Sequence, residues 1–344
     1  MIMQCSSPLF FVGSKVLILD NGGEFPAVLR QKLQNHAKGC IISRKDYTFY
    51  RDFYHIPEEF FKQVPCGQCV ACRINYAKEW AVRCMLEARE NPPAYFITLT
   101  YDDEHLPVVE YNGDYVGKLE KRDFQLFVKR MRKAYGKLRY FGCGEYGGTT
   151  FRPHYHFISF GCDFDDLELL RIQRSKKVIY AYFTSKKLAA LWGNGQILIS
   201  QANEQTCSYT ACYSLKKVGS YIARDKALEV LSRLDGRFSE PGEYFDMLVS
   251  AEVVPKPFLL CSRRPGIARA AYSDDFVREG LPGFKVSRLR YYDKLFDLDN
   301  KDEREWRSEA RSVRASLNRD RFTDETADIF ERLGAHLPPP RKKV

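Results

Sequence analysis

Two neighbouring stretches constrain the fold of this chain most: KLRYFGCGEY at 137–146 and PHYHFISFG at 153–161. Each has the composition and alternation of a β-strand, and a Gly-Gly-Thr turn lies between them. A turn of that length joins antiparallel strands. The sequence therefore predicts an antiparallel pair that needs further strands and helices to bury its apolar face.

The flanking pattern supplies those elements. Phe124, Phe127, Val128 and Met131 form one apolar stripe, which predicts a helix over 121–135. The other predicted elements are strands at 94–102 and 196–200 and helices at 185–192, 206–219 and 220–234. This order predicts an α+β fold, an antiparallel β-sheet with flanking helices packed on one face.

The ends of the chain differ from this core. The first 65 residues look irregular, and a helical pattern runs from Cys72 to Glu90. After residue 250 come a basic loop at 262–269 and a helical C-terminal extension. We therefore expect three segments: 1–90 with the cysteines, 91–235 as the core, and 236–344 as the C-terminal extension.

Charge and composition restrict the function. The 344 residues carry 54 Lys and Arg against 44 Asp and Glu, a net charge of +10, which favours nucleic acid over a membrane surface or an acidic protein as partner. No apolar run reaches the roughly 18 residues of a membrane span, and no secretory leader is evident, so we expect a soluble, non-secreted protein. Eleven cysteines fit reduced thiols or metal ligands better than a disulfide scaffold.

The first candidate site is His154 and His156. Residues two apart on a strand share a face, so both imidazoles can reach one ion, although an isolated His-x-His pair is more often incidental. Glu145 on the neighbouring strand adds a carboxylate. Two imidazoles and one carboxylate suit Mg²⁺ or Mn²⁺ when a substrate supplies phosphate oxygens, and Zn²⁺ would bind them as well.

The second candidate site is YTACYSLKK at 209–217. Tyr209 and Tyr213 are four apart on a predicted helix and so share a face, which Lys216 and Lys217 continue. Alone, this pattern fits a packed helix with solvated lysines. Beside a metal site it fits a phenol that attacks a phosphodiester and keeps the bond energy in a phosphotyrosine.

The third candidate site is CGQCVAC, with Cys66, Cys69 and Cys72 at the start of a helix. The two overlapping CxxC steps indicate a thiolate metal site, for which Cys5 or Cys40 could supply a fourth ligand. A structural Zn²⁺ is favoured over unligated thiols, and an iron–sulfur cluster has less support.

Exposed cations could bind DNA phosphates. The expected DNA-binding residues are Lys129, Arg130, Arg132 and Lys133 on the predicted helix, and Arg263 and Arg264 in the basic loop.

Five motifs occur in order along residues 60–270: PCGQCVACR, FITLTYDDEHLP, CGEYGGTTFRPHYHFISFG, YTACYSLKK and SRRPGI. Together they resemble those of the rolling-circle replication initiators of the HUH endonuclease superfamily. Within it, they are most similar to those of the Microviridae, small single-stranded DNA phages, on the gokushovirus side.

The resemblance implies an HUH/RRM-like core and a metal-dependent DNA endonuclease and ligase. It makes His154 and His156 metal ligands and Glu145 the third. It also makes Tyr209 and Tyr213 the paired nucleophiles, with Lys216 and Lys217 as the associated basic residues. These initiators nick the plus-strand origin, stay on the 5′ end, and later rejoin a unit-length circle.

The resemblance also implies a setting: single-stranded and origin DNA as substrates, host helicase and polymerase as partners, and the host bacterial cytoplasm as the location. Two alternatives stay open. One is a zinc-stabilised nucleic-acid-binding protein without catalysis, and the other is a relaxase or transposase with the same chemistry.

Overall fold

The computed structural model describes residues 8–19, 25–36, 39–67, 69–174, 179–213, 223–234, 241–284, 289–307 and 310, apart from the side chains of Val70, Tyr213 and Leu234. The chain divides into two compact units, Met1–Asn75 with Arg288–Val344, and Tyr76–Ser287. The division into functional segments at residues 90 and 235 stays a prediction.

The first unit is more regular than the sequence predicts. Its elements are β1 (Leu9–Val12), α1 (Ala27–Asn35), β2 (Cys40–Ile42), α2 (Arg44–Asp52) and β3 (Phe61–Val64). The strands form an antiparallel sheet in the order β2-β1-β3. The expectation of an irregular first 65 residues is wrong, because these short strands do not extend far enough to show a periodicity.

A buried apolar cluster holds this unit together. Ser43 caps α2 by accepting a hydrogen bond from the backbone N–H of Asp46, and Tyr47 of the same helix stacks on Phe10 of β1 with ring centroids 3.8 Å apart. The expected helical C-terminal extension is described as far as α10 (Arg290–Asp299) and the helical residues 301–307.

The second unit contains the predicted sheet. Helix α3 (Val70–Glu90) begins in the first unit and leads into it. The strands are β4 (Ala94–Tyr101), β5 (Val108–Tyr111), β6 (Asp114–Gly117), β7 (Arg139–Tyr146), β8 (Pro153–Phe160), β9 (Leu167–Arg174), β10 (Ile179–Ser185), β11 (Gly195–Gln201) and β12 (Phe258–Cys261). Seven of them form one antiparallel sheet in the order β12-β7-β8-β4-β11-β10-β9, and β5 and β6 form a separate hairpin. The predicted α+β class is confirmed.

The remaining helices connect these strands. They are α4 (Lys121–Tyr135), α5 (Lys186–Trp192), α6 (Glu204–Tyr213), α7 (Arg224–Leu234), α8 (Pro241–Ser250) and α9 (Asp274–Arg278). Helix α4 has the predicted bounds. The helix predicted over 206–219 starts two residues earlier, and its residues beyond Tyr213 lie outside the described part of the chain.

Helices pack on both faces of the large sheet, whereas the sequence predicted one face. On one face, Phe124 and Phe127 of α4 pack against Phe157 of β8. On the other face, residues of α3 and α6 form a cluster with Ile158 and Phe160 of the same strand. Strand β8 is therefore covered on both sides, which holds the strand of the His-x-His motif at the centre of the unit. In the described part of the chain, no helix is both long enough and apolar enough to cross a membrane.

We expect Phe127→Ala to lower the free energy of unfolding by about 3–5 kcal/mol, because it leaves a cavity in this core. Phe127 is fully buried, and its ring lies 5.7 Å from that of Trp192, so tryptophan fluorescence during a urea titration reports the loss. The control is Lys129→Ala on the exposed side of the same helix, which we expect to stay within about 0.5 kcal/mol of the wild type. Equal midpoints for the two variants would contradict this packing.

Candidate active site

The pairing of β7 with β8 brings Glu145, His154 and His156 together. Glu145 lies directly opposite His154, and Cys143 lies opposite His156. Because side chains alternate across a strand, these residues share one face of the sheet. Oε1 of Glu145 lies 2.9 Å from Nε2 of His154 and 3.0 Å from Nε2 of His156. The predicted neighbours thus converge on one carboxylate oxygen.

The other ring nitrogen of each histidine is also fixed. Nδ1 of His156 lies 2.9 Å from Oγ1 of Thr98, which faces it from β4, and Nδ1 of His154 lies 3.0 Å from the carbonyl oxygen of Arg152. A carbonyl oxygen only accepts, so Nδ1 of His154 donates and its Nε2 is left with a lone pair. Such outer contacts orient imidazoles that ligate metals through Nε2.

Burial and hydrogen bonding set the charges of this group. Glu145 is 4% exposed, and its burial opposes ionisation, but hydrogen bonds from His154 and His156 act the other way and hold its pKa below the usual value. Burial lowers the pKa of His156, mainly because the charged ring loses hydration. A carboxylate beside a neutral imidazole is the protonation state that binds a cation.

The three side chains fit a divalent cation. One ligand atom from each lies within 4.8 Å of the other two, and all three are buried or half-buried. Two imidazole nitrogens and one carboxylate leave positions open for a substrate, and this mixed set accepts Mg²⁺, Mn²⁺ or Zn²⁺.

Tyr209 of α6 lies against this group. Asn203 caps the helix by accepting a hydrogen bond of 2.9 Å from the backbone N–H of Thr206, which fixes where the helix starts. Further along the helix, the ring of Tyr209 meets that of His156 edge to face, with centroids 5.3 Å apart. Tyr209 is 40% exposed, so a large substrate can reach its phenol.

The other predicted nucleophile is placed only by its backbone. Tyr213 ends α6, four residues or about 6 Å along the axis from Tyr209, and its side chain is outside the description. Lys216 and Lys217 also lie outside the described residues.

The predicted DNA-binding cations of α4 lie elsewhere. Lys129, Arg130, Arg132 and Lys133 are all exposed. Their helix packs on the sheet face that carries Tyr155 and Phe157, whereas His154 and His156 occupy the opposite face. The structure therefore does not bring these four cations to the candidate site.

Arg263 and Arg264 are exposed in the loop after β12. This strand pairs Cys261 with Phe141, four residues or about 14 Å along β7 from Glu145. Neither arginine is therefore next to the three-residue group.

The sequence did not indicate what holds that loop. The Arg139 guanidinium hydrogen-bonds the buried Glu87 carboxylate and the carbonyl oxygens of Pro265 and Gly266. Glu87 also accepts a hydrogen bond of 2.6 Å from the backbone N–H of Ala268. These residues are far apart in sequence, so no local motif announces the contact.

Two residues next to His156 were also missed. Thr98 holds its Nδ1, and the ring of Phe96 stacks on the imidazole at 5.3 Å with an interplanar angle of 12°. The alternation in FITLTYD places both on one face of β4, but only the register with β8 shows that this face meets His156.

The predicted cysteine cluster also assembles. Cys66, Cys69 and Cys72 form a second group whose sulfur atoms lie within 4.8 Å of one another. Cys40, one of the two suggested fourth ligands, is not a member and packs instead in the apolar cluster of the first unit. Cys5 lies outside the described residues.

Comparison with known proteins follows the same segment of the chain. The ORF2 family of replication-associated proteins matches residues 94–218, which include the three-residue group and Tyr209. The Replication-associated protein ORF2 of Spiroplasma virus 4 is 32% identical over 252 residues, 72% of this chain and 69% of that protein. The chain belongs to this family. The kinship with phage replication proteins that the motifs indicated is thereby confirmed.

Two further relatives agree. Replication-associated protein VP4 of Bdellovibrio phage phiMH2K is 34% identical over 163 residues, 45% of this chain and 48% of that protein. Replication-associated protein ORF4 of Chlamydia phage 1 is 28% identical over 256 residues, 72% of this chain and 62% of that protein. The match thus spans less than two thirds of these two proteins. No solved structure matches the chain.

We expect Thr98→Val to weaken Mn²⁺ binding about 10- to 100-fold, because it removes the hydrogen-bond partner of Nδ1 while keeping the side-chain volume. Isothermal titration of the purified protein with Mn²⁺ measures the change. His105→Ala, which removes an exposed histidine paired with Asp102, is the control and should leave the affinity unchanged. Equal affinity in Thr98→Val and the wild type would contradict an orienting role for Thr98.

Proposed function

We propose that the chain initiates rolling-circle replication of a circular phage genome by cutting and rejoining single-stranded DNA at a specific site. The observation that carries this proposal is the contact between Tyr209 and His156. It puts a partly exposed phenol beside a buried group with the donor set of a divalent metal site. Membership of the replication-associated family supports the same substrate.

In the proposed first step, the phenol oxygen of Tyr209 or Tyr213 attacks the phosphorus of one phosphodiester. A new phosphorus–oxygen bond to tyrosine forms as the bond to the 3′ oxygen breaks. The phenol proton passes through solvent to the leaving oxygen, which departs as a 3′ hydroxyl. The product is a 5′ phosphotyrosine, so no bond energy is lost to water.

Each residue has a defined task in this proposal. Glu145, His154 and His156 hold Mg²⁺ or Mn²⁺, which when bound withdraws charge from the scissile phosphate. Lys216 and Lys217 favour the phenolate of a tyrosine whose pKa is ordinarily about 10. With two tyrosines, one can hold the 5′ end while the other cuts again, and a 3′ hydroxyl then closes the circle by the reverse reaction.

The surface cations bind DNA outside the site. Arg263 and Arg264 project from a loop that Arg139 and Glu87 hold in place, so they can contact phosphates without first ordering the loop. The cations of α4 lie on the far face of the sheet and would bind flanking DNA rather than the scissile phosphate. Host helicase and polymerase would act with the chain in the host cytoplasm, and the cysteine cluster would be structural.

The competing function is nucleic-acid binding without catalysis. It would use the same charge and the same cysteine cluster. It gives no reason for an exposed tyrosine packed against a metal-type histidine, and we therefore favour the enzyme.

We expect Tyr209→Phe combined with Tyr213→Phe to abolish a covalent protein–DNA adduct while DNA binding stays within about twofold. The substrate is single-stranded circular DNA of the genome that encodes the chain, with Mn²⁺ present or chelated by EDTA. Phenylalanine keeps the ring contact with His156 and removes only the nucleophilic oxygen. Denaturing gels measure the adduct, and filter binding measures the affinity.

The control for this experiment is Tyr115→Phe, which changes an exposed tyrosine on β6 and should keep the adduct. An adduct that survives in the double variant would exclude the two tyrosines as nucleophiles. A wild-type protein that binds this DNA but never forms an adduct would favour the non-catalytic function.

A further inference from the structure

A second group of metal-type ligands lies outside the candidate active site. Cys66 and Cys69 sit in the loop before α3, and Cys72 lies in the first turn of that helix. All three belong to the first compact unit, whereas the tyrosine, histidine and glutamate residues belong to the second. The chemistry proposed above does not use these thiols.

The spacing of the sulfur atoms fits a single ion. Sγ of Cys66 lies 4.0 Å from Sγ of Cys72, and all three sulfurs lie within 4.8 Å of one another. Zinc–sulfur bonds of about 2.3 Å in a tetrahedron place the ligand sulfurs about 3.8 Å apart. The observed group needs only a small contraction to reach that geometry. A disulfide would need the sulfurs at about 2.05 Å, half of the observed separation.

The same spacing argues against an iron–sulfur cluster. A cluster places several iron and sulfide ions between the thiolates and so holds them farther apart than one ion does. Three sulfurs this close together leave room for one metal ion. The two metals that the sequence left open are thus separated by geometry.

The backbone around the cysteines favours thiolates. Gly67 has φ of 75°, a left-handed conformation that glycine adopts without strain, and the chain turns there so that the backbone N–H of Cys69 points at Sγ of Cys66, 3.2 Å away. Cys69 precedes α3, and its carbonyl oxygen accepts a hydrogen bond from the N–H of Arg73. The positive end of the helix dipole therefore lies beside sulfurs that carry negative charge when they bind a metal.

Cys40 shows the contrast. It also belongs to the first unit, but it is buried among apolar side chains, and that burial raises the pKa of its thiol. A thiol in that environment stays protonated and is a poor ligand.

We propose that Cys66, Cys69 and Cys72 bind one Zn²⁺ ion as a structural site that fixes the loop ahead of α3. Structural zinc sites have four ligands, and these three cysteines supply three of them. The assignment rests on the cysteine geometry alone and holds whether or not the chain cuts DNA.

The test uses the full chain purified under reducing conditions. We expect about one zinc per chain by elemental analysis in the wild type, in addition to any ion at the candidate active site. His156→Ala should keep this zinc, and Cys69→Ser should lose it. The matched control is Cys261→Ser, which removes a half-buried thiol on β12 and should retain the ion.

A spectroscopic measurement covers the case in which Cys69→Ser fails to fold. Cobalt added to the metal-free wild type should give the near-ultraviolet charge-transfer absorption of cobalt–thiolate bonds, and zinc should displace it. The imidazole and carboxylate ligands of the other site cannot produce that absorption. A reduced, folded wild type that binds no zinc and gives no cobalt–thiolate absorption would overturn the proposal, as would an iron–sulfur chromophore.

Discussion

The antiparallel register of β7 with β8 is the constraint on which the candidate site depends. It places Glu145 opposite His154 and so delivers a carboxylate to two histidines that alternate along one strand. Since side chains alternate strictly across a strand, a slip of one residue would turn Glu145 to the opposite face of the sheet. Packing on both faces of β8 resists such a slip, because Phe157 and Ile158 are each fully buried on different sides.

The second requirement is the position of α6. Its cap at Asn203 follows directly on β11, and Cys207 and Ala211 pack into the cluster on the sheet face that also carries Phe160. The helix therefore crosses the sheet with Tyr209 turned toward His156. The result is a partly exposed phenol on a rigid element, held against a buried histidine.

Local patterns in the sequence predict local structure well here. The apolar stripe of α4 gave both of its bounds, and the His-x-His strand with its partner was evident from alternation and a turn. The three-stranded sheet of the first unit was missed because β1, β2 and β3 are short and pair with strands far along the chain. β12 was missed for the same reason, since FLLC becomes a strand only through its long-range pairing with β7.

The candidate site was predictable as a set of residues but not as a geometry. Amphipathicity showed that Lys129 and Arg132 are solvated, yet it could not show that their helix lies on the opposite face of the sheet from His156. Thr98 and Phe96 carry no chemical motif, and only the pairing of β4 with β8 brings them to that histidine. Long-range register is the information that the sequence alone did not provide.

The most direct measurement is mass spectrometry of the wild-type protein after reaction with its single-stranded genome and digestion of the DNA by nuclease. The account predicts a nucleotide remnant joined through phosphate to Tyr209, to Tyr213, or to a mixture of the two. A remnant on any other residue, or nicked DNA without a linked peptide, would contradict it.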